Sequence, residues 1–187
     1  MIIDFETAVR LLERGKVVAI PTDTVYGLVA LMDSKEGVEE LYRLKRRDYK
    51  QPIAVLGKNF DELVRFWPKG SDEWKEQWPG ALTLVVPANL ERVPTWISGT
   101  GIRGEGEGSE GVSVGIRVPR DLDLIERVGF LAASSANRGG EKVAGCASEI
   151  EAVFGKDFPV LEGKLGSGLA SQIVKWDGSC WQLLRKY

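Results

Sequence analysis

Thr22, Asp23 and Thr24 put two hydroxyls and a carboxylate at the exit of an apolar run, Val17 to Ile20, that reads as a buried strand. Pro21 cannot donate to a sheet ladder and ends that strand. Polar groups at a strand exit commonly face a ligand crevice. The competing reading is a strand-to-helix turn in which the three side chains only satisfy backbone donors. Arg43, Lys45, Arg46, Arg47 and Lys50 fall close together, opposed only by Asp48. Guanidinium forks and ammonium point charges together suit a triphosphate, although a basic helix end also complements the helix dipole. Pro79-Gly80-Ala81-Leu82-Thr83 places a glycine at a strand entrance and a hydroxyl on the strand itself, which permits close approach of a ligand to backbone. Ala132 to Asn137 is small and polar, and the Ser135 hydroxyl and Asn137 amide can bond phosphate, ribose or base edges.

The remaining composition narrows the chemistry. The 187 residues contain no histidine. That removes the commonest general base and metal ligand, and with them any Ser-His or Cys-His nucleophile. An enzyme of this sequence works by positioning and charge stabilisation, by carboxylate or lysine chemistry, or by a bound ion. The net charge of −2 gives no global attraction to nucleic acid or anionic membrane, so any affinity for phosphate is local. No apolar run approaches membrane-spanning length and the N-terminus has no basic leader pattern. Cys146 and Cys180 fit no metal or redox spacing, and are expected as reduced, half-buried thiols of a cytoplasmic protein. There is no P-loop signature. Gly99, Gly101 and Gly104 match a dinucleotide fingerprint, but no strand leads into them and the Glu-Gly repeat that follows cannot open a helix, so 98–111 reads as a loop.

These groups need a scaffold. Asp4 caps a first helix closed by Gly15, and Ser34 caps a second over 35–46. Strands are expected at 52–56, 81–86, 112–118, 130–133, 171–176 and 180–184, the last two as a hairpin across Asp177 and Gly178. Asn59 and Glu62 form a capping box for a helix toward Trp67; an amphipathic piece covers 71–78, and helices follow at 122–127 and 148–154. Alternation places Arg117 on the face opposite Val112, Val114, Ile116 and Val118. The expected fold is α/β, a twisted mixed sheet flanked by helices in one domain, 1–187, with an open concave nucleotide site.

The ordered set of blocks resembles the YrdC-like family, the L-threonylcarbamoyladenylate synthases. The blocks are Pro21 to Leu28, Lys45-Arg46-Arg47 with Pro52, Pro79 to Thr83, Gly115 to Pro119, Ser135-Ala136-Asn137, and Ser171 with Arg185. Membership implies that L-threonine and bicarbonate give N-carboxythreonine, whose carboxylate attacks the α-phosphorus of ATP and expels pyrophosphate. The acyl group later passes to tRNA through a separate transferase complex. By position, the resemblance implies that Lys45 and Arg47 grip the triphosphate, with Arg117 the third catalytic cation. Thr22, Thr24, Arg117 and Ser171 serve threonine. Thr83, Ser135, Asn137 and Arg185 serve the nucleotide. Asp23 orients a Mg²⁺ shell, and no tightly bound organic cofactor is expected. The chain departs from the family at Leu56, where many members carry histidine, at Gln172, and at the Arg185-Lys186-Tyr187 ending. A competing reading is a divergent paralogue that holds tRNA or double-stranded RNA without making the adenylate, motivated by the basic cluster.

Overall fold

The computed structural model describes residues 1–49, 51–66, 72–97, 112–164 and 166–186. Ten strands form one mixed sheet among these residues. In chain order they are β1 (Ile2–Ile3), β2 (Val18–Ile20), β3 (Gly27–Leu31), β4 (Ala54–Leu56), β5 (Leu82–Pro87), β6 (Ser113–Arg117), β7 (Leu131–Ser135), β8 (Val160–Leu161), β9 (Gln172–Trp176) and β10 (Trp181–Arg185). Across the sheet they run β1-β8-β2-β3-β7-β4-β6-β5-β9-β10. The helices are α1 (Phe5–Glu13), α2 (Lys35–Lys45), α3 (Phe60–Leu63), α4 (Asp123–Val128) and α5 (Ala147–Phe154).

Local chemistry sets most boundaries. Asp4 accepts from the Thr7 amide at 2.7 Å, Ser34 from Gly37 at 3.1 Å and Asn59 from Glu62 at 2.9 Å, each satisfying an otherwise orphaned first-turn donor. The third helix is shorter than its capping box suggests. It ends at Leu63 and tightens into a 3₁₀ turn over Val64–Phe66, and the amphipathic piece near 71–78 is likewise 3₁₀, Asp72–Gln77. Trp67, Ser71 and the glycine-rich stretch 98–111 lie outside the described residues.

Period-two alternation divides the core between the two faces of the sheet. Leu28, Ala30, Val55, Leu84, Val86, Val114, Ile116, Ala132 and Val174 point to one face, where Val38, Leu41 and Tyr42 of α2 join them in one continuous cluster with Phe66, Ile97 and Ile150. The opposite face carries a smaller core. There Ala8, Val9 and Leu12 of α1 and Leu124 and Ile125 of α4 cover Val18, Ile20, Val29, Leu131 and Ala133. This second cover spans the β2-β3-β7 side and reaches Leu56; no residue of β5, β6, β9 or β10 belongs to it.

Three expectations change. The Thr22–Thr24 turn joins two strands, not a strand and a helix: Gly27–Leu31 continues as β3, antiparallel to β2. Ser134 and Ser135 are the last residues of β7, not residues beyond it. Cys146 and Cys180 are exposed, not half-buried, because each occupies a cap or turn position, Cys146 before α5 and Cys180 in the 177–180 turn.

Candidate functional site: a cationic hollow on the uncovered half of the sheet

From the edge of the α1 and α4 cover, at Val29 and Ala133, that face of the sheet continues as a floor of small side chains that no helix among the described residues covers. Register places Val29, Ala133, Ala54, Gly115, Val85 and Lys175 in one row across β3, β7, β4, β6, β5 and β9. Ala-Ala-Gly in the middle of that row leaves room above the backbone, and the result is a hollow of about 380 Å³, within the range of small-molecule sites. Gly115 is tightly fitted. A Cβ there would stand 3.1 Å from the Ala54 Cα and 3.5 Å from the Thr83 methyl.

The wall is strongly one-signed. Arg47, Arg117, Lys175 and Arg185 line the hollow, and no carboxylate does among the described residues. Thr22, Thr24, Thr83, Ser113, Ser134, Ser135 and Ser171 add hydroxyls. A chain of net charge −2 has thus gathered positive potential in one concavity, where low-dielectric walls focus the field on an anion.

Arg117 is the most constrained of these cations. Its Nε donates to the Gly80 carbonyl at 3.1 Å, Nη1 to Thr24 Oγ1 at 3.0 Å and Nη2 to Asp23 Oδ1 at 2.6 Å. The Arg117 and Asp23 side chains are 9% and 10% exposed, so the ion pair is nearly dry. Burial lowers the guanidinium's pKa and Asp23 opposes that shift. The hydroxyl order around it is determined. Thr22 Oγ1 donates to the Val25 carbonyl at 2.7 Å, so the 2.9 Å contact between the two threonine hydroxyls has Thr24 as donor. Thr24 Oγ1 is left as an acceptor facing Arg117. The engaged Asp23 carboxylate does not suit a resident metal, and no cluster of three metal-ligating side chains exists among the described residues.

Next to this pole, Ser171 and Thr83 share a 2.9 Å hydroxyl contact, and Arg185 donates to the Ser171 carbonyl at 2.9 Å and to its hydroxyl at 3.3 Å. Arg117 and Arg185 are close enough for the like charge of Arg185 to depress the Arg117 pKa further.

At the other end Arg47 enters the hollow from the chain just beyond α2. One terminal nitrogen donates to the Pro52 carbonyl at 2.8 Å, while its buried Nε has no hydrogen-bond partner. Lys45 behaves differently. Its Nζ donates to the Ser135 carbonyl and to Asn137 Oδ1, both at 2.6 Å, and Lys45 and Asn137 are not among the residues that line the hollow. Asn137 passes the contact on, donating to the Glu141 carbonyl at 2.6 Å. Burial, with the like charge of Arg47 second, brings the Lys45 ammonium down to about 8. Lys45 and Asn137 therefore stand behind Ser135, which does face the hollow.

Most of the expected site residues thus converge: Thr22, Thr24, Arg47, Thr83, Arg117, Ser135, Ser171 and Arg185 line one hollow. Lys175 was missed by sequence reasoning. The signal was available, since it alternates with Ser171 and Ile173 on the same face of the β9 segment.

A ten-stranded mixed sheet with an open, cationic, hydroxyl-rich hollow on its small-residue floor defines an α/β protein whose hollow has the charge to suit an anionic ligand. The chain belongs to the Sua5/YciO/YrdC family, whose profile, described as "Telomere recombination", matches residues 10–186. It is 34% identical over 169 residues to a threonylcarbamoyl-AMP synthase of Chromohalobacter salexigens, covering 85% of this chain and 84% of that protein. A threonylcarbamoyl-AMP synthase of Photorhabdus laumondii is 29% identical over 173 residues, covering 87% and 85%. Among solved structures, P. abyssi Sua5 complexed with L-threonine superposes with a TM-score of 0.84 at 28% identity. That match covers 99% of this chain but 57% of the Sua5 chain. E. coli YciO shares the fold, with a TM-score of 0.82 at 18% identity over 96% of this chain and 87% of that one.

Proposed function

We propose that this chain is a threonylcarbamoyl-AMP synthase, a nucleotidyltransferase that joins L-threonine, bicarbonate and ATP, and that 1–187 acts as one domain. The observation that carries the reading is the convergence of Arg47, Arg117, Lys175 and Arg185 on one hollow that no carboxylate lines among the described residues, Asp23 lying behind Arg117 as its ion-pair partner. In the reaction, the amine nitrogen of threonine bonds to the carbon of bicarbonate, a carbon–oxygen bond of the bicarbonate breaks and water leaves, which gives N-carboxythreonine. One of its carboxylate oxygens attacks the α-phosphorus of ATP, the bond from that phosphorus to the β-phosphate bridging oxygen breaks, and pyrophosphate leaves. No histidine is needed because the nucleophile is already anionic. The work left to the protein is alignment and neutralisation of charge.

The residues divide that work. Thr24, Arg117 and Ser171 hold the amino acid, with Arg117 pairing a carboxylate and Thr22 fixing the turn. Thr83, Ser135 and Arg185 contact the nucleotide. Arg47 and Lys175 take the phosphates, and the orphaned Nε of Arg47 gains an acceptor when they bind. Lys45 and Asn137 set the position of Ser135 without touching the phosphates. Mg²⁺ would enter on the triphosphate, with no step resting on a protein-held ion.

The RNA-binding alternative loses its main support. Lys45 is buried, Arg47 turns into the hollow and Arg43 is paired with Glu40, so of the described cluster only Arg46 is left as an exposed cation outside the ion pairs found. No helix among the described residues is long and apolar enough to cross a membrane. We place the enzyme in the cytoplasm, handing its product to a tRNA threonylcarbamoyl transferase.

The test is incubation with ATP, threonine and labelled bicarbonate. Stoichiometric pyrophosphate and labelled acyl-adenylate are expected. Absence of both, together with unchanged ATP binding by Arg47→Ala, overturns the reading.

A further inference from the structure

The Thr22–Thr24 turn is held from outside by a second piece of chain. The amides of Gly166, Ser167 and Gly168 donate to the carbonyls of Thr22, Asp23 and Thr24 at 3.1, 3.1 and 2.8 Å. Three successive peptides of the turn are thus tied to three successive peptides of a strap that leads directly into Ser171. The contact is close enough to exclude side chains. A Cβ on Gly166 would collide with the Asp23 main chain at its Cα, carbonyl carbon and oxygen, and one on Gly163 would stand 2.7 Å from Pro21 Cγ. Cβ atoms essentially never approach another heavy atom so closely, so either substitution must shift its neighbour: the Asp23 backbone at Gly166, the Pro21 ring at Gly163. Neither glycine has a positive φ, so the requirement for glycine is one of space, not of conformation.

We propose that this strap, with Gly166 and Gly163 as its contact points, is a positioning element that orients Arg117 for the amino-acid substrate. Fixing the Asp23 main chain fixes its carboxylate 2.6 Å from Arg117 Nη2, and fixing Thr24 fixes its hydroxyl 3.0 Å from Nη1. The guanidinium is then pre-set, and its unused N–H groups remain for a substrate carboxylate. The same segment carries Ser171 into the hollow, so one strap sets both sides of the amino-acid end. Among the described residues, Arg47 and Ser135 make no hydrogen bond with it: Arg47 bonds the Pro52 carbonyl, and Ser135 bonds Lys45 and Asn137. The strap therefore acts first on the threonine end, and reaches the nucleotide only through the contacts of Ser171 with Thr83 and Arg185. This inference rests on the synthase reading above.

The experiment compares wild type with Gly166→Ala and Gly163→Ala in the full chain. It reads the KM for threonine, the Kd of a non-hydrolysable ATP analogue without threonine, and the melting temperature. The expected result is a threonine KM raised at least about tenfold, with analogue affinity within about twofold of wild type. An unchanged threonine KM, or equal loss for both ligands, overturns the proposal. Should neither variant fold, hydrogen exchange on wild type decides. The Gly166, Ser167 and Gly168 amides should exchange more slowly when threonine is added and not when the analogue is added; no difference overturns the proposal. A wild-type chain that makes no adenylate fails the synthase reading first and takes this inference with it, whereas an active wild type with indifferent variants sinks the strap alone.

Discussion

A buried guanidinium nitrogen without an acceptor is costly, on the order of 1–3 kcal/mol, and Arg47 Nε is in that state. On the proposed function, a bound phosphate supplies the missing acceptor. Replacing Arg47 by Met removes a buried charge and keeps most of the apolar stem. The expected outcome is a melting temperature equal to or a few degrees above wild type, with nucleotide affinity reduced more than about tenfold. Calorimetry and thermal melts on the same samples check it, and a lower melting temperature with intact affinity would count against the assignment. Lys45 offers a second test, in pH. Its folded-state pKa is lowered to about 8 from a usual value near 10.5, chiefly by burial. Below about 8 both folded and unfolded chains carry the proton, so the full cost of burying the charge is present. Between 8 and 10.5 the unfolded chain binds more protons, so stability rises with pH through that window. Wild type should gain up to roughly 3 kcal/mol there relative to Lys45→Met. Loss of the ammonium's charge over the same window weakens its hold on Ser135 and Asn137, so nucleotide affinity should fall while stability climbs.

The hollow exists because particular strand positions are small. Gly115 touches Ala54 on one neighbour and approaches Thr83 on the other. Gly115→Val would place a branched side chain on the floor, where β propensity is no obstacle but volume is. The expected protein keeps its far-UV circular dichroism and loses detectable nucleotide binding by calorimetry. Retained binding would place the nucleotide off the floor. Much of this arrangement was legible beforehand. The 112–118 alternation put Arg117 on the correct face, and Asp4, Ser34 and Asn59 marked helix starts by the chemistry of their side chains. Other features were not. β1 and β8 are two residues each and exist only through long-range parallel pairing, which leaves no local pattern. β3 was hidden behind the polar turn that precedes it, although Leu28 to Leu31 is an apolar run. Asp23 read as a metal ligand because its partner, Arg117, is 94 residues away. The resemblance put both Lys45 and Arg47 on the triphosphate, and sequence alone does not say that only Arg47 lines the hollow.

At the scale of the whole molecule, charge is distributed against its own sum. A net charge of −2 coexists with four cations around one hollow, most of the remaining charge being spread over the outer surface. Such a protein attracts an anion only at short range, and the attraction should respond to salt and to the count of lining cations. Lys175 is the most informative of the four to change. It is exposed, engaged in none of the ion pairs found among the described residues, and removed from the Arg117 network by its place at the far end of the floor row. Lys175→Glu reverses its sign without disturbing a buried contact, so the fold should melt within a few degrees of wild type. ATP affinity should fall about tenfold or more at about 50 mM salt and less at about 500 mM, where screening has already weakened the wild-type site. AMP lacks the outer phosphates and should lose much less. If AMP and ATP weaken equally, Lys175 lies beside the nucleoside and the two ends of the hollow must be exchanged. If neither weakens, the phosphates do not reach β9 at all.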